Sequence, residues 1–289
     1  MEKLLHWSIA NAQGDKEAME RAGQPDPKML AQLFGGGGPD DPTLMKEAMA
    51  VAINEEADLE NRLVAIDNFE MLIENLDNAN NIENMKLWDP ILKLLDSEES
   101  ELRSATLSII GTAVQNNVNS QENFAKYDGS LKKLIVLVQN SQEPESVRTK
   151  ALYALSNVIR NHKDIGEKFL AENGLDVIPP VLHDSKSSTK FKMRAISLLN
   201  AFLTTMEITE SIIKTIREDN VLEASIDCLN TEDDLNIIDR VLNFLSQLIT
   251  ARIQFTESEL EKLRTGFKNI EQFKDQLNED DYLAVKYVL

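Results

Sequence analysis

The amino-acid sequence predicts an all-α fold in which helical units stack into a solenoid. Two observations indicate this: a long amphipathic helix recurs at a nearly constant spacing, and a short apolar helix recurs ahead of it. Strands are not indicated, because alternating runs of Val, Ile and Thr are not found and aromatic residues make up only 6% of the chain. The chain is therefore interpreted as a helical repeat protein.

The clearest copy of the long helix covers residues 146–160, with the sequence SVRTKALYALSNVIR. Its apolar residues recur every three to four positions and form one broad face. Four polar residues follow the same period on the opposite side of the helix: Lys150, Tyr153, Asn157 and Arg160. Because one helix of this length cannot bury such a face by itself, we expect similar helices on both of its sides.

Four further copies establish the repeat. With Leu152 as the reference residue of the long helix, the pattern recurs around Ile66, Leu107, Ile196 and Leu242, so that successive separations are 41, 45, 44 and 46 residues. The short helix has its own recurring residues, which lie 13 to 15 positions before the next reference residue: Leu94, Leu137, Leu182 and Leu229. A helical repeat of this length, with a Gly or Asn turn before the short helix, is typical of armadillo and HEAT proteins. We therefore expect a right-handed armadillo-like helical solenoid with helical caps at both ends.

Residues 1–38 lie outside the repeat and are interpreted as a flexible N-terminal arm. The arm has two weakly amphipathic pieces, whose apolar residues include Leu4, Leu5, Trp7, Leu30 and Leu33. The four glycines at 35–38 predict a flexible joint. A phosphate-binding loop is not indicated, because such a loop ends in Gly-Lys-Ser/Thr and here Pro39 and Asp40 follow the glycines. The sequence thus predicts an arm at 1–38 and a solenoid domain at 39–289.

Helical caps are expected at both ends of the solenoid. Asp41 followed by Pro42 predicts a helix start, with the Asp41 carboxylate as the cap, and this helix is expected to cover the first unit. After Glu257 the repeat fades into charged helices. The apolar residues of this last segment are spaced for one buried face: Leu260, Leu263, Phe267, Ile270 and Phe273.

The composition excludes several partners. The chain has 30 basic and 49 acidic residues, a formal net charge of −19, which disfavours nucleic acid and anionic membranes. No apolar run approaches the roughly twenty residues that span a bilayer, and the start of the chain is a poor secretory signal. The single cysteine, Cys228, fits a reducing compartment and is expected to be a buried structural thiol. We therefore expect a soluble, cytoplasmic and monomeric protein.

Catalytic chemistry is not indicated. The three histidines, His6, His162 and His183, lie in no recognisable motif, and one cysteine with three scattered histidines is a poor supply of metal ligands. We therefore expect no enzyme activity, no cofactor and no metal.

The polar sides of the long helices favour partner binding instead. Stacked long helices line the inner surface of such a solenoid, so we expect their polar residues to converge on one concave groove. In the register of the repeat, Arg194 and Arg240 occupy the place of Lys150. Glu74, Tyr153, Asn157 and Arg160 are further candidates on the stripes. Asn75 and Asn78 lie in the sequence NLDNANNIEN, which is either a solvated turn or part of the contact surface.

Several pieces of the sequence resemble one known family. They are LLHWSIAN, FGGGGPDDPTLMKEAM, NFEMLIENLDNANNIEN, RTKALYALSNVIRNHKDI and NEDDYLAVKYVL, and together they span the chain. The chain resembles the armadillo-type nucleotide-exchange factors of the heat shock protein 70 (Hsp70) chaperones, in particular their fungal cytosolic branch. The resemblance implies a co-chaperone that grips the ATPase domain of the chaperone with its concave face and promotes ADP release, without binding nucleotide itself.

The resemblance also implies particular residues. The positions that match the contact surface of the family include Ala79 and Arg194. The N-terminal arm matches the segment that helps to release client polypeptide, and it is expected to contact the substrate-binding domain of the chaperone. An armadillo adaptor that binds extended peptides remains the alternative. Grooves of such adaptors usually carry repeated Trp and Asn, whereas here the only tryptophans are Trp7 and Trp88, and neither lies on the stripe.

Overall fold

The computed structural model describes residues 39–289. The predicted arm and its residues Leu4, Leu5, Trp7, Leu30 and Leu33 lie outside this part. The chain divides into two compact units, Met1–Glu47 and Ala48–Leu289, and each is considered by itself.

The described part of the first unit contains the beginning of helix α1 (Asp41–Ala52). The Asp40 carboxylate accepts a hydrogen bond from the Thr43 amide at 2.9 Å. The cap is therefore Asp40, and the prediction of Asp41 was wrong by one residue. The reason is geometric, because a capping side chain reaches the amide three residues further on and Asp41 already belongs to the helix.

The second unit consists of helices joined by short turns, and none of its residues forms a strand. After α1 the helices are α2 (Leu59–Ile73), α3 (Leu76–Asn84), α4 (Trp88–Leu94), α5 (Ser100–Ala113), α6 (Val118–Ala125), α7 (Ser130–Gln139), α8 (Glu145–Ile159), α9 (Lys163–Ala171), α10 (Ile178–His183), α11 (Thr189–Thr205), α12 (Glu210–Glu218), α13 (Val221–Asp227), α14 (Leu235–Thr250), α15 (Glu257–Ile270) and α16 (Glu279–Lys286). Two 3-10 segments, Gly174–Val177 and Glu271–Gln276, precede α10 and follow α15. None of the described helices combines the length and the apolar character that a bilayer span requires.

The helices repeat as predicted. Each unit has a first helix, a short second helix and a long helix, and the long helices α2, α5, α8, α11 and α14 pack one on the next. All five reference residues of the long helices are fully buried: Ile66, Leu107, Leu152, Ile196 and Leu242. The second helices pack on the long helices, and the apolar core lies between these two layers. Burial of the broad apolar face of each long helix therefore requires both its neighbours and its second helix.

The turn between the first and second helix of each unit has one residue in the left-handed region. These residues are Lys86, Gly129, Asn173 and Asn220, with φ of 57°, 74°, 55° and 60°. Gly and Asn tolerate this conformation best. The predicted Gly or Asn turn is confirmed in three units, and the first unit has lysine in its place.

A cation four residues before the reference residue joins most long helices to the preceding segment. Arg62 Nε donates to the Ala52 carbonyl at 2.9 Å, and Arg148 Nε donates to the Val138 carbonyl at 2.8 Å. Arg103 donates to the Ser97 carbonyl at 2.7 Å and pairs with Glu143 at 2.6 Å. Lys192, the equivalent residue of α11, pairs with Asp233 at 2.8 Å. The three arginines satisfy carbonyl groups at or just after the end of the preceding helix, whereas Lys192 joins α11 to the turn before α14.

The C-terminal end continues the repeat. Helix α16 packs on α14, in the place of another long helix, and α15 packs on α13. Leu263, Phe267 and Ile270 are buried as expected, but Leu260 and Phe273 are only half-buried. The single apolar face does not extend to Phe273 because α15 ends at Ile270 and the 3-10 turn that follows changes the direction of the side chains.

Cys228 is 2% exposed, and burial raises the pKa of its thiol to about 12. The expected buried structural thiol is confirmed. A thiol with such a pKa remains protonated at neutral pH and is a poor nucleophile.

The first prediction concerns Asp219, which is hydrogen-bonded to the carboxyl group of Asp176. Burial, and then the charge of Asp176, raise the pKa of Asp219 above its ordinary value of 3.8. The folded state therefore holds this proton more tightly than the unfolded state, and stability decreases as pH rises from 3.8 through the folded pKa. Asp219→Asn should raise the Tm at pH 7 by ~1–3 °C, and the gain should shrink as the pH is lowered toward 3.8.

Thermal unfolding followed by circular dichroism measures this effect. The control is Glu207→Gln, which removes one charge from an exposed position in the turn before α12. An equal gain for both variants would show that net charge, rather than the Asp219–Asp176 contact, is responsible.

Candidate functional site

One contact recurs between neighbouring long helices on their polar side. On one long helix the contact residue comes directly after the reference residue. On the next long helix it comes two positions before the reference residue. Lys150 Nζ donates to Ser108 Oγ at 2.8 Å, and an Arg240 guanidinium N–H donates to Ser197 Oγ at 3.1 Å. Between these two pairs, the Arg194 guanidinium lies 4.9 Å from the centre of the Tyr153 ring. We call these six residues the polar ladder: Ser108, Lys150, Tyr153, Arg194, Ser197 and Arg240.

Helical geometry explains why the ladder forms. The two ladder positions of one helix, such as Lys150 and Tyr153, are three residues apart and therefore lie on the same face. The reference residue between them points into the apolar core. Each long helix can thus bind the preceding helix with one ladder residue and the following helix with the other.

The ladder begins at a carboxylate. Glu70 of α2 accepts hydrogen bonds from Ser108 at 2.7 Å and from Thr112 at 2.8 Å. Lys150 then donates to the same Ser108 hydroxyl. This chain of carboxylate, hydroxyl and ammonium joins three successive long helices and leaves few free donors at this end of the ladder.

The centre of the ladder is positively charged. Burial lowers the pKa of Lys150, the nearby cations Lys190 and Arg194 lower it further, and the carboxylates Glu70 and Asp67 act in the opposite direction. We call Lys150, Lys190 and Arg194 the cationic cluster. It is unexpected in a chain with a formal net charge of −19. Like charges that are held together weaken the fold unless anions offset them, as Glu70 and Asp67 do for Lys150.

Arg194 has donors to offer to such an anion. Within residues 39–289, no carboxylate lies at ion-pair distance from its guanidinium, and its one contact of note is the Tyr153 ring. An aromatic face attracts a cation but leaves the guanidinium N–H groups available. The arrangement therefore suits the binding of a carboxylate that belongs to another molecule.

The structure separates the predicted partner-binding residues. It brings Tyr153 and Arg194 together on the ladder, whereas Glu74 and Asn75 are exposed at the junction of α2 and α3. The sequence NLDNANNIEN is not a turn, because most of it forms α3, and Asn75 caps this helix by accepting from the Asp77 and Asn78 amides at 2.9 and 3.4 Å.

Three of the predicted residues are buried: Asn78, Ala79 and Asn157 are 8%, 3% and 7% exposed. Helix α6, rather than a partner, approaches Ala79. The Ser120 hydroxyl of this helix donates a hydrogen bond to the Ala79 carbonyl at 3.3 Å. The carbonyls of Asn157 and of the half-buried Arg160 accept from Gln121 Nε2 at 2.7 and 2.9 Å. A role of these residues in binding stays a prediction, and an arginine at Ala79 would disturb the packing of α3 on α6.

Sequence reasoning missed Glu70 as part of the site, and it missed Gly111, whose backbone lies against the Tyr153 ring. The signal that could have found the ladder is the repeated pair of polar positions, one after and two before each reference residue. Gly111 had no such signal, because its role depends on a side chain from the next long helix.

Comparisons with known proteins agree with this architecture. A family model described as nucleotide exchange factor Fes1 matches residues 1–82, and one described as the SIL1/FES1/HPBP1 C-terminal domain matches residues 78–226. The Saccharomyces cerevisiae protein named Hsp70 nucleotide exchange factor FES1 is 67% identical over 290 residues, which cover 100% of both chains. The protein of the same name from Candida glabrata is 65% identical over 288 residues, which cover 100% of this chain and 99% of that protein.

Solved structures agree on the fold. The designed armadillo repeat protein YIII(Dq)4CqI superposes with a TM-score of 0.66 at 15% identity, covering 86% of this chain and 97% of the designed chain. Together, fold and sequence define the class as the armadillo-type nucleotide exchange factors. The chain belongs to the Fes1 family of Hsp70 nucleotide exchange factors, and the resemblance seen in the sequence is confirmed.

The second prediction concerns Glu70 at the start of the ladder. Glu70→Ala removes the acceptor of Ser108 and Thr112 and the nearby negative charge that favours protonated Lys150. We expect a loss of about 1–2 kcal/mol in the free energy of unfolding, measured by urea denaturation. The control is Asp67→Ala, an exposed carboxylate on the same helix, for which we expect a loss below about 0.5 kcal/mol. Equal losses would contradict a special role of Glu70.

Proposed function

We propose that this chain promotes ADP release from an Hsp70 chaperone by binding the ATPase domain of the chaperone through the polar ladder. Membership of the Fes1 family supports the activity, since relatives over the whole length of the chain are named Hsp70 nucleotide exchange factors. The cationic cluster is the observation that favours the polar ladder as the binding surface. Two of its cations, Lys150 and Arg194, share the Tyr153 ring, and an acidic patch on the partner would offset their charges.

Exchange needs no catalytic group in this chain. A protein that binds the open form of the ATPase domain more tightly than the closed, nucleotide-bound form lowers the affinity for nucleotide by the same factor. A hundredfold effect requires a difference of about 2.7 kcal/mol between the two forms. A few well-placed contacts supply this amount. None of the described residues forms a cluster that could hold a metal ion, and the proposal requires none.

The remaining parts of the proposal follow from the family. The model described as Fes1 includes the whole of residues 1–38, so we assign the N-terminal arm to client release through the substrate-binding domain of the chaperone. We place the protein in the cytosol as a monomer. A peptide-binding adaptor is the weaker alternative, since Trp88 is fully buried and is not available to line a peptide groove.

The third prediction tests the cationic cluster. Lys190→Ala with Arg194→Ala should slow the stimulated release of labelled ADP from Hsp70 at least about tenfold, because two charges that face the partner are lost. The free energy of unfolding should change by less than about 1 kcal/mol, because neither side chain forms an ion pair within the described part of the chain.

The matched control removes two cations from other helices. Lys163→Ala with Lys214→Ala deletes side chains that are 66% and 73% exposed on α9 and α12. Stopped-flow measurements should show normal exchange for this variant. Slowed exchange in both double variants would indicate a general charge effect and would contradict the choice of the ladder.

The fourth prediction concerns the arm. Deletion of residues 1–33 should leave stimulated ADP release within about twofold of the full chain, because the proposed docking surface lies on the long helices. Release of a fluorescent client peptide from Hsp70 should become slower. If the deletion abolished ADP release as well, the arm would belong to the docking surface.

A further inference from the structure

Gly111 lies in the last turn of the long helix α5, two residues before the helix ends at Ala113. The structure shows what this glycine permits. A Cβ atom at this position would meet Tyr153 Cε1 and would lie 2.6 Å from Cδ1 and 3.1 Å from Cζ. The Tyr153 ring of α8 therefore rests directly on the backbone of α5, in space that any other residue would fill.

Two cations share this ring. Arg194 of α11 lies 4.9 Å from the ring centre, and Lys150 Nζ lies 5.7 Å from it. The π-electrons of the ring attract both cations and offset part of their mutual repulsion. The Tyr153 hydroxyl adds little, since its only hydrogen-bond partner in the described residues is Gln115 Oε1 at 3.5 Å. The aromatic face, rather than the hydroxyl, thus holds the Arg194 guanidinium in place.

The three residues form one stack that crosses three long helices. Gly111 sets the position of Tyr153, and Tyr153 sets the position of Arg194. A ring restricts a long, flexible arginine side chain before any partner arrives, and this lowers the entropy that binding must remove. Within residues 39–289 the guanidinium N–H groups have no hydrogen-bond acceptor, so they can form two parallel hydrogen bonds with one carboxylate of a partner.

We infer that Gly111 and Tyr153 are positioning residues that hold Arg194 for a carboxylate on the ATPase domain of Hsp70. This inference rests on the proposed function and adds the chemical class of the group that Arg194 binds. It also gives a reason for a glycine, rather than a larger residue, in the last turn of α5 beside the Tyr153 ring.

The experiment measures the Kd of the full chain for a purified, nucleotide-free ATPase domain of Hsp70. Arg194→Ala, Gly111→Ala and Tyr153→Leu should each weaken binding by roughly tenfold. The ratio of each variant Kd to the wild-type Kd should fall as salt is raised from roughly 50 to 300 mM, because salt screens the lost ion pair. Tyr153→Phe keeps the ring and should bind within about twofold of the wild type.

Double variants distinguish a positioning role of Gly111 and Tyr153 from a general effect of their substitution on the fold. If Gly111 and Tyr153 act through Arg194, then adding Gly111→Ala or Tyr153→Leu to Arg194→Ala should weaken binding no further. Alanine at Gly111 favours the helix itself, so we expect unfolding of Gly111→Ala to remain cooperative, with a Tm within about 4 °C of the wild type.

Four outcomes would overturn the inference. Wild-type affinity of Gly111→Ala and Tyr153→Leu, while Arg194→Ala binds weakly, would remove the positioning role and leave the proposed function intact. The positioning role would also be removed if Gly111→Ala weakened binding by the same factor in the Arg194→Ala variant as in the wild type. Wild-type affinity of Arg194→Ala would remove the carboxylate contact, even if wild-type protein still accelerates ADP release. The absence of any such acceleration by the wild-type protein would be a failure of the proposed function itself.

Discussion

The structure depends on the contact that links the polar sides of successive long helices. Apolar packing drives the helices together, but it is non-directional and allows neighbouring helices to slide. Hydrogen bonds such as Lys150 to Ser108 and Arg240 to Ser197 have preferred distances and directions. They therefore set the register in which one long helix lies on the next, and this register decides which side chains share a surface.

The contacts of the polar ladder differ in the group that the cation meets, which is a hydroxyl in one case and an aromatic ring in another. This difference relates the fold to the proposed binding. At Ser108 the cation meets a hydroxyl that also donates to Glu70, so the polar groups satisfy one another within the chain. At Tyr153 the cation meets an aromatic face that accepts no ordinary hydrogen bond. The helix contact is made at both positions, but only the second leaves strong donors for a partner. A tyrosine in the place of a serine thus leaves the donors of the neighbouring cation available for the proposed partner.

Much of the fold could be predicted from the sequence, because the buried reference residue recurs in five long helices at a nearly constant spacing. The burial of Ala79 and Asn157 depends on neighbouring units instead. Ala79 and Asn157 have polar or small side chains at suitable positions, yet α6 covers the first, and Gln121 of the same helix binds the carbonyl of the second. Periodicity describes one helix at a time and does not show what the next unit covers. Arg194 was found through the family resemblance and its register with Lys150, whereas the role of Gly111 follows only from the Tyr153 ring that lies against it.

The charge of the chain explains why the proposed recognition must depend on the geometry of a few donors. With a formal net charge of −19, the protein repels an acidic surface at distances up to the Debye length of about 8–10 Å. Attraction by the cationic cluster acts only at close range, where the direction of each donor decides its strength. Additional lysines would increase attraction to any polyanion, including nucleic acid. One arginine that is held against a ring instead favours a carboxylate at a defined position, which gives selectivity without a basic surface.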